Sequence, residues 1–387
     1  MSSLRRGGAG EAEVSNLELF YDLVFVFAIT QVSHLLLDHH LTWTGAAHAL
    51  LVLLVVWWSW NFTTWATNEL DPESRWVRVL MIGLMLLGLI MAVAIPEAFG
   101  DQALLFAGAY VAIQLTRQSF LTFVAGQPGS LERRRASHIL AWFALAAVFW
   151  LAGAVDEQLR PPLWLIALGI DYAGPLFSFR LPGRRISAEA WQVEPSHLSE
   201  RFQLFVIIAL GESIVVTGAT TSALPLDASR LLALAIAFLM TAALWWLYFR
   251  AVAQRVRSLL VGSEGNRTLV ARDVYTYLHV VLVAGIVVAA VGDELVIAHP
   301  GHELATAELV ALIAGPVLYL VAQGLMRLRA RGDVSATRSA GVAGCLLVGA
   351  IGLHVSALAT AGLLLLVLVA VIASEERRAA DRGRPAV

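Results

Sequence analysis

The residues best placed to do chemistry in this 387-residue chain are carboxylates set inside long apolar runs. Asp171 stands about ten residues into such a run, where a charge costs on the order of 3 kcal/mol even on a lenient scale and therefore needs a partner or a task. It opens the phrase Asp171-Tyr172-Ala173-Gly174-Pro175. Pro175 removes one backbone donor and crowds the carbonyl four residues earlier, so a kink with free carbonyls beside a carboxylate is expected. That combination can bind a cation or a proton. The competing reading is structural: Asp171 meets only a Tyr, Trp or Arg of a neighbouring helix. Glu212, in Gly211-Glu212-Ser213, poses the same choice further along.

Glu18 and Asp22 lie four residues apart and so share one helical face. Arg117 and Arg327 each follow a repeated glutamine (Gln114, Gln323), and Glu200 with Arg201 repeats the acid of Glu18. Ion pairs of Glu18 or Asp22 with Arg117, and of Glu200 with Arg327, are expected, either as a structural latch or as an inner gate. Glu97 and Glu294 each close an outward-running segment and are placed at an outer mouth, where solvated helix ends also carry acids. Asp293, His299, His302 and Glu303 match no zinc spacing, and no metal or cofactor is expected. His138 and His279 begin helices at the inner side. The runs Trp57-Trp58-Ser59-Trp60 and Trp245-Trp246-Leu247-Tyr248 read as an interfacial belt and packing. No nucleophile–base set, phosphate loop or haem signature is present, so an enzyme is not the expected class.

What positions these residues is a series of continuous apolar runs, near 17–37, 44–66, 76–96, 102–124, 137–154, 161–178, 198–218, 228–249, 273–296, 305–326, 339–354 and 356–373. Continuous rather than alternating hydrophobicity points to membrane helices, not strands. His354 and Ser356 mark the turn between the last two. The composition agrees: 58% hydrophobic, 14% charged, mean hydropathy +0.73, against about 25% charged in soluble domains.

The runs repeat. Arg75, Val77, Gly88, Ala92 and Glu97 recur 197 positions later as Arg272, Val274, Gly285, Ala289 and Glu294. Glu18-x-Phe20 recurs at Glu200-x-Phe202, Trp57-Trp58 at Trp245-Trp246, and Tyr110 with Gln114 at Tyr319 with Gln323. The order is kept throughout, which implies duplication. Glu212 has Thr30 as its counterpart, and that asymmetry favours a functional acid. The expected organisation is a disordered cytoplasmic tail over 1–16, a first six-helix repeat over 17–178, a cytoplasmic linker over 179–197, a second six-helix repeat over 198–373, and a cytoplasmic tail over 374–387. Six spans per half make the repeats parallel.

All 27 basic residues are Arg, and all but Arg160 and Arg230 fall on one side of this topology or in the adjoining part of a span. By the positive-inside rule that side, with both termini, is cytoplasmic. A net charge of -2 implies no nucleic-acid partner; the partner is the lipid bilayer. The single Cys345 lies among Gly341, Gly344, Gly349 and Gly352, which allow close helix approach.

Together "LELFYDLVFVFAITQ" (17–31), "AIPEAFGD" (94–101), "DYAGP" (171–175), "HLSERFQLFVIIALGESIV" (197–215), "LVAGIVVAAVGDEL" (282–295) and "GPVLYL" (315–320) resemble the bacterial low temperature requirement protein A family. The resemblance covers nearly the whole membrane portion. It implies a polytopic inner-membrane protein linked by name to growth in the cold. The family signature falls on Glu18, Phe20, Asp22, Glu97, Asp171, His197, Glu200, Arg201 and Glu212. The functional expectation is a permease or channel-like transporter of a small solute or cation, with proton coupling through Glu212 and a path between the halves past Asp171. The alternative is a non-transporting membrane protein that supports cold or envelope adaptation through lipid or protein contacts.

Overall fold

The computed structural model describes residues 4–5, 14–38, 41–182, 194–250 and 267–382. Every substantial element among them is helical, and there are twelve helices in chain order. They are α1 (Asn16–Asp38), α2 (Trp43–Thr67), α3 (Arg75–Val93), α4 (Ala103–Ser119), α5 (Leu131–Val155), α6 (Arg160–Leu176), α7 (Pro195–Ser222), α8 (Ala228–Tyr248), α9 (His279–Ala298), α10 (Thr306–Arg331), α11 (Ala336–Gly352) and α12 (Ala357–Arg382). The π-helical turn Phe120–Val124 extends α4, and α9 is entered through the short helix Arg267–Ala271 and a second π-helical stretch, Arg272–Leu278. The twelve apolar runs and the turn before Ala357 were legible from sequence.

Among the described residues nine helices are long and apolar enough to cross a membrane: α1, α2, α3, α5, α7, α8, α9 with its lead-in, α10 and α12. The chain is thus an all-α, multi-pass membrane protein. The other three, α4, α6 and α11, have 17 residues each. At 1.5 Å per residue that is about 25 Å, just short of a hydrocarbon core of about 30 Å.

Local chemistry sets the ends. Ser130, Asp227 and Ser335 cap α5, α8 and α11 by accepting from the amides of Arg133, Arg230 and Arg338. The Ser229 hydroxyl and the Arg230 amide hold the Asp227 carboxyl below the ordinary carboxylate range. Gly332, at φ 76°, closes α10 in the left-handed region. Pro161 and Pro162 open α6, where a missing N–H costs nothing.

Two local expectations are corrected. Pro175 does not kink α6 in mid-run; it lies in the last turn. The chain then turns back through Ser178 and Phe179, both left-handed at φ 51° and 49°. The Phe179 amide donates to the Gly174 carbonyl at 2.8 Å, and its ring is buried edge-on against Phe62, Trp142 and Phe143. Second, the N-terminal tail is partly structured. Leu4 and Arg5 lie against the α2–α3 turn, with the Asp71 amide donating to Leu4 and Arg5 Nη1 3.2 Å from Glu69, which Arg135 also engages. Of the two tryptophan runs, Trp57, Trp58 and Trp60 are fully buried in helix packing, whereas Trp245 and Trp246 stay exposed. Residues 183–193 of the expected linker and 383–387 of the C-terminal tail lie outside the described residues.

The left-handed hook after α6 supplies a test. A non-Gly residue there costs about 1–2 kcal/mol, so Ser178→Gly is expected to stabilise by up to about 1 kcal/mol after the added freedom of the unfolded chain. Thermal unfolding in detergent should show a raised midpoint, and an unchanged or lowered one would mean that the hook is unstrained.

The described chain comprises two compact units: Met1–Leu35 with Leu51–Arg201, and Leu36–Leu50 with Phe202–Val387. In unit 1, α5 packs on α4 and α6, and α3 on α4. In unit 2, α9 lies along α10, and α8 packs on α9 and α12. The α9–α10 seam is made by glycines: a Cβ at Gly285 would sit 2.7 Å from the Tyr319 nitrogen, and one at Gly315 would sit 2.6 Å from the backbone of Ala289. Small residues let the two backbones touch, as expected for helix pairs in lipid.

Candidate functional site

Unit 1 carries a buried charge cluster at the start of α1 and α7. Glu18 lies in the first turn of α1, and its carboxylate accepts from the Ser15 amide at 3.0 Å and hydroxyl at 2.9 Å. His197 Nε2 stands 3.0 Å from Glu18 Oε1, with both side chains out of reach of solvent. One turn deeper, Arg201 Nη2 donates to Asp22 Oδ1 at 2.6 Å, each side chain 0% exposed, and Trp60 Nε1 donates to the same oxygen at 2.8 Å. The 18/22 and 197/201 spacings place both acids on one face of α1 and both bases on one face of α7, so the pairs stack in register. Asn68 fastens the end of α2 to the same place: its amide reaches His197 Nδ1 at 3.1 Å, donates to the Glu194 carbonyl at 3.0 Å and accepts from the Glu194 amide at 2.9 Å.

These partners differ from the expected ones. Asp22 takes Arg201, not Arg117. Arg117 is completely buried and donates to Gln114 and to Thr63 Oγ1, the latter at 3.2 Å, with Phe62 and Phe143 rings each 5.6 Å from its guanidinium. Arg327 pairs with Asp333, six residues on, and holds that carboxyl below the ordinary range; Glu200 is exposed on α7. The reason is reach: Arg201, one turn along α7 from His197, lands directly on Asp22. Arg327 sits in the last turns of α10, where the chain reversal at Gly332 brings Asp333 back beside it.

Deeper in unit 1, Asp171 is 1% exposed. Its Oδ2 accepts from the Tyr110 hydroxyl at 2.6 Å and from Trp150 Nε1 at 3.0 Å, while Oδ1 has no hydrogen-bond partner. Tyr110 lies one turn from Gln114, and Gln114 is bonded to Arg117. On the far side, Trp164, Phe99 and Phe106 close over Trp150 and Tyr110 as a run of ring contacts. Buried Arg160 sits over that run, donating to the carbonyls of Phe99 and Gly153. Tyr21 lies between the two clusters, its hydroxyl beside Thr63 and within the fields of Arg117, Asp22 and Arg201. Buried polar side chains thus run from Glu18 to Asp171 through α1, α2, α4 and α6.

Unit 2 is organised differently. Glu212 on α7 is buried at 4% exposure, next to Ser213 and Thr217, whose hydroxyls donate to carbonyls of their own helix. Its counterpart Thr30 likewise bonds back to Val26. Glu97 lies exposed in the turn after α3, its carbonyl accepting from Gly100 and Gln102. Glu294 sits half-buried within α9 rather than at its end, one oxygen without a hydrogen-bond partner. The repeated tyrosines do different work: Tyr110 serves Asp171, whereas Tyr319 donates to the Leu244 carbonyl at 2.6 Å. His279 Nδ1 lies 2.8 Å from the Val274 carbonyl and Nε2 2.9 Å from the Tyr248 hydroxyl, so Nδ1 carries the proton and Nε2 accepts. His138 similarly faces the Phe179 carbonyl at 3.2 Å. Among the described residues no group of three or more His, Cys, Asp or Glu converges as a metal site.

Sequence reasoning named Glu18, Asp22, Arg117, Asp171, His197 and Arg201, and the fold gathers all six in unit 1. It missed Trp60, Asn68 and Trp150. Trp60 had read as belt and packing, and nothing in the spacing of Asn68 or Trp150 tied them to an acid.

Two comparisons bear on this arrangement. The family model described as Bacterial low temperature requirement A protein matches residues 13–373. An uncharacterized protein of Rhizobium meliloti (strain 1021) is 38% identical over 322 residues, covering 82% of this chain and 78% of the relative. No solved structure matches.

Proposed function

The chain belongs to the bacterial low temperature requirement A family, and on that premise we propose that it is a permease or channel-like transporter of a small solute or cation, coupled to protons. All twelve helices would cross the cytoplasmic membrane as two parallel six-helix repeats, with both termini inside. The arginine distribution supports that orientation, since all but Arg160 and Arg230 fall on the side of the termini or in the part of a span next to it.

The observation that carries the reading is Asp171: a carboxylate buried in an apolar setting, held by two donors on one oxygen and bare on the other. A buried polar atom left without a partner costs about 1–3 kcal/mol, and such groups in membrane helices mark ion and proton paths. Glu212 is the second working acid. Glu18–His197 and Asp22–Arg201 would form the inner closure, with Arg117 above them; Glu97 and Glu294 would flank the outer side. The second reading, a non-transporting protein acting through lipid or protein contacts, draws on the tight capping of Asp171 by Tyr110 and Trp150.

Proteoliposomes decide between them. Vesicles containing the purified chain are assayed for proton flux with an entrapped pH dye under a valinomycin-set potassium potential, and for uptake of radiolabelled rubidium, amino acids and sugars. Flux above protein-free vesicles is expected, and Glu212→Gln should abolish it while the protein still inserts and folds. Full flux in that variant would refute the coupling role, and no flux of any probe would leave the non-transporting reading standing.

A further inference from the structure

We propose that Asp293 anchors a binding site within unit 2 for the primary ammonium group of a small amine, or for the ammonium ion itself. The inference names a substrate class for the transport reading above, and its test is binding rather than flux. Asp293 lies in α9 and is 3% exposed. Among the described residues no donor meets its carboxylate and no cationic group stands in its field. The guanidiniums of Arg230, Arg327, Arg329 and Arg338 are each taken by another carboxylate. In unit 1, by contrast, Glu18, Asp22 and Asp171 all have donors from the protein. A lone acid inside a membrane helix is costly and marks a site of function. With no donor from the chain, the donor comes from a ligand. The counterpart of Asp293 in the first repeat, at the offset of 197, is Pro96, so the site belongs to one half alone.

Helix register supplies the walls. His279, at the start of α9, packs on the Phe202 ring of α7 with centroids 5.2 Å apart, and Tyr248 of α8 bonds to it at 2.9 Å. From that node α9 runs alongside α8 to the opposite end of unit 2. There Leu358, at the start of α12, donates to the Pro300 carbonyl, while the far end of α12 brings Glu376 back to Arg250 beside Tyr248. Asp293 is fourteen residues beyond His279, about 21 Å along and within about 40° of the same face. The same count along α7 from Phe202 reaches Val216, flanked by buried Ser213 and Thr217. Counted back along α8 from Tyr248 it reaches Leu234, flanked by buried Ala233 and Ala237. The Ser213 and Thr217 hydroxyls donate to carbonyls of their own helix, so their remaining lone pairs are acceptors. One wall therefore carries oxygens, and the other is small and apolar.

That chemistry selects the ligand. Two carboxylate oxygens and a hydroxyl oxygen match the three N–H donors of a primary ammonium group, the same set that a lysine carries. One positive charge neutralises one buried carboxylate, which a neutral solute fails to do and a divalent ion exceeds. A hard metal ion would want about six oxygens or more, and among the described residues no group of three or more His, Cys, Asp or Glu converges. Opposite the hydroxyls, the alanine methyls leave room for a short carbon chain on the nitrogen.

Thermal unfolding of the full chain in detergent tests this without turnover. The probes are the chlorides of ammonium, methylammonium, propylammonium, tetramethylammonium, sodium and potassium, compared at one ionic strength. Ammonium and the two primary amines are expected to raise the midpoint by a few degrees as their concentration rises, because a ligand that binds only the folded state stabilises it. Tetramethylammonium has the charge but no N–H, and it should do nothing; so should the alkali ions. In Asp293→Asn the response should vanish while the midpoint without probe equals or exceeds that of the wild type, since an uncompensated acid has been removed. Thr217→Val should weaken the response, and Glu200→Gln, at an exposed site, should leave it intact. Equal shifts with potassium or tetramethylammonium, no shift with any amine, or a shift that survives in Asp293→Asn each overturn the proposal. An Asp293→Asn protein that unfolds well below the wild type does so too, because it marks an acid held for structure. Radiolabelled methylamine then separates the two readings: binding that depends on Asp293 without uptake into vesicles sinks the transport reading and leaves the site.

Discussion

Removing Arg201 alone should be among the most damaging single changes in unit 1. Arg201→Met leaves Asp22 ionised at 0% exposure with only the Trp60 N–H for support, and breaking a buried pair from one side costs about 3–5 kcal/mol. The double variant Asp22→Leu with Arg201→Met should recover most of that loss, because the desolvation penalty of both ions disappears together with their attraction. Unfolding in mixed micelles, followed by tryptophan fluorescence, measures both. A single variant that unfolds with the wild-type midpoint would show that the pair does not hold unit 1 together. The neighbouring Glu18–His197 and Asn68–Glu194 contacts remain in every variant, so the difference between single and double isolates the pair itself.

Gly315→Val should be comparably severe in unit 2, for a steric reason. A side chain there would need the space occupied by the backbone of Ala289, 2.6 Å from its Cβ, and Gly285 faces the Tyr319 backbone in the same seam. Backbone cannot yield as a flexible side chain does. The α9–α10 pair would have to separate, at a cost above the about 1–3 kcal/mol typical of overpacking. Gly324→Ala on the same helix is the control: nothing lies within 4 Å of its Cβ, and Ala improves helix propensity by about 1 kcal/mol. Size-exclusion profiles and thermal midpoints in detergent should show loss of the monodisperse protein for Gly315→Val and none for Gly324→Ala. Equal behaviour of the two would remove the close approach as the basis of the seam.

These two sites illustrate how differently the parts of the protein could be foreseen. Helix existence was legible because lipid imposes one rule on every span, that backbone groups bond within the segment, and a continuous apolar run of sufficient length is its direct imprint. The family motifs and the paired spacing Glu18/Asp22 were equally visible, since helical period converts spacing into a shared face. Which acid meets which base was not. Arg117 and Arg201 are the same residue type and both lie in the right region, and only the approach of α7 to α1 gives Asp22 to Arg201 and leaves Arg117 to Gln114 and Thr63. Trp60 shows the limit most plainly. A tryptophan near a helix end is by composition an interfacial residue, and only the rotation of α2 turns its N–H inward to Asp22.

By itself, then, the sequence determined that this chain is helical, apolar enough for the bilayer, and provided with acids that must find partners there, because those facts follow from local composition and period. The tertiary structure alone decided the partners on other helices: the contacts from Asp22 to Arg201, Glu18 to His197 and Asp171 to Trp150 join residues 21 to 179 positions apart, and no local pattern encodes how one helix is turned against another.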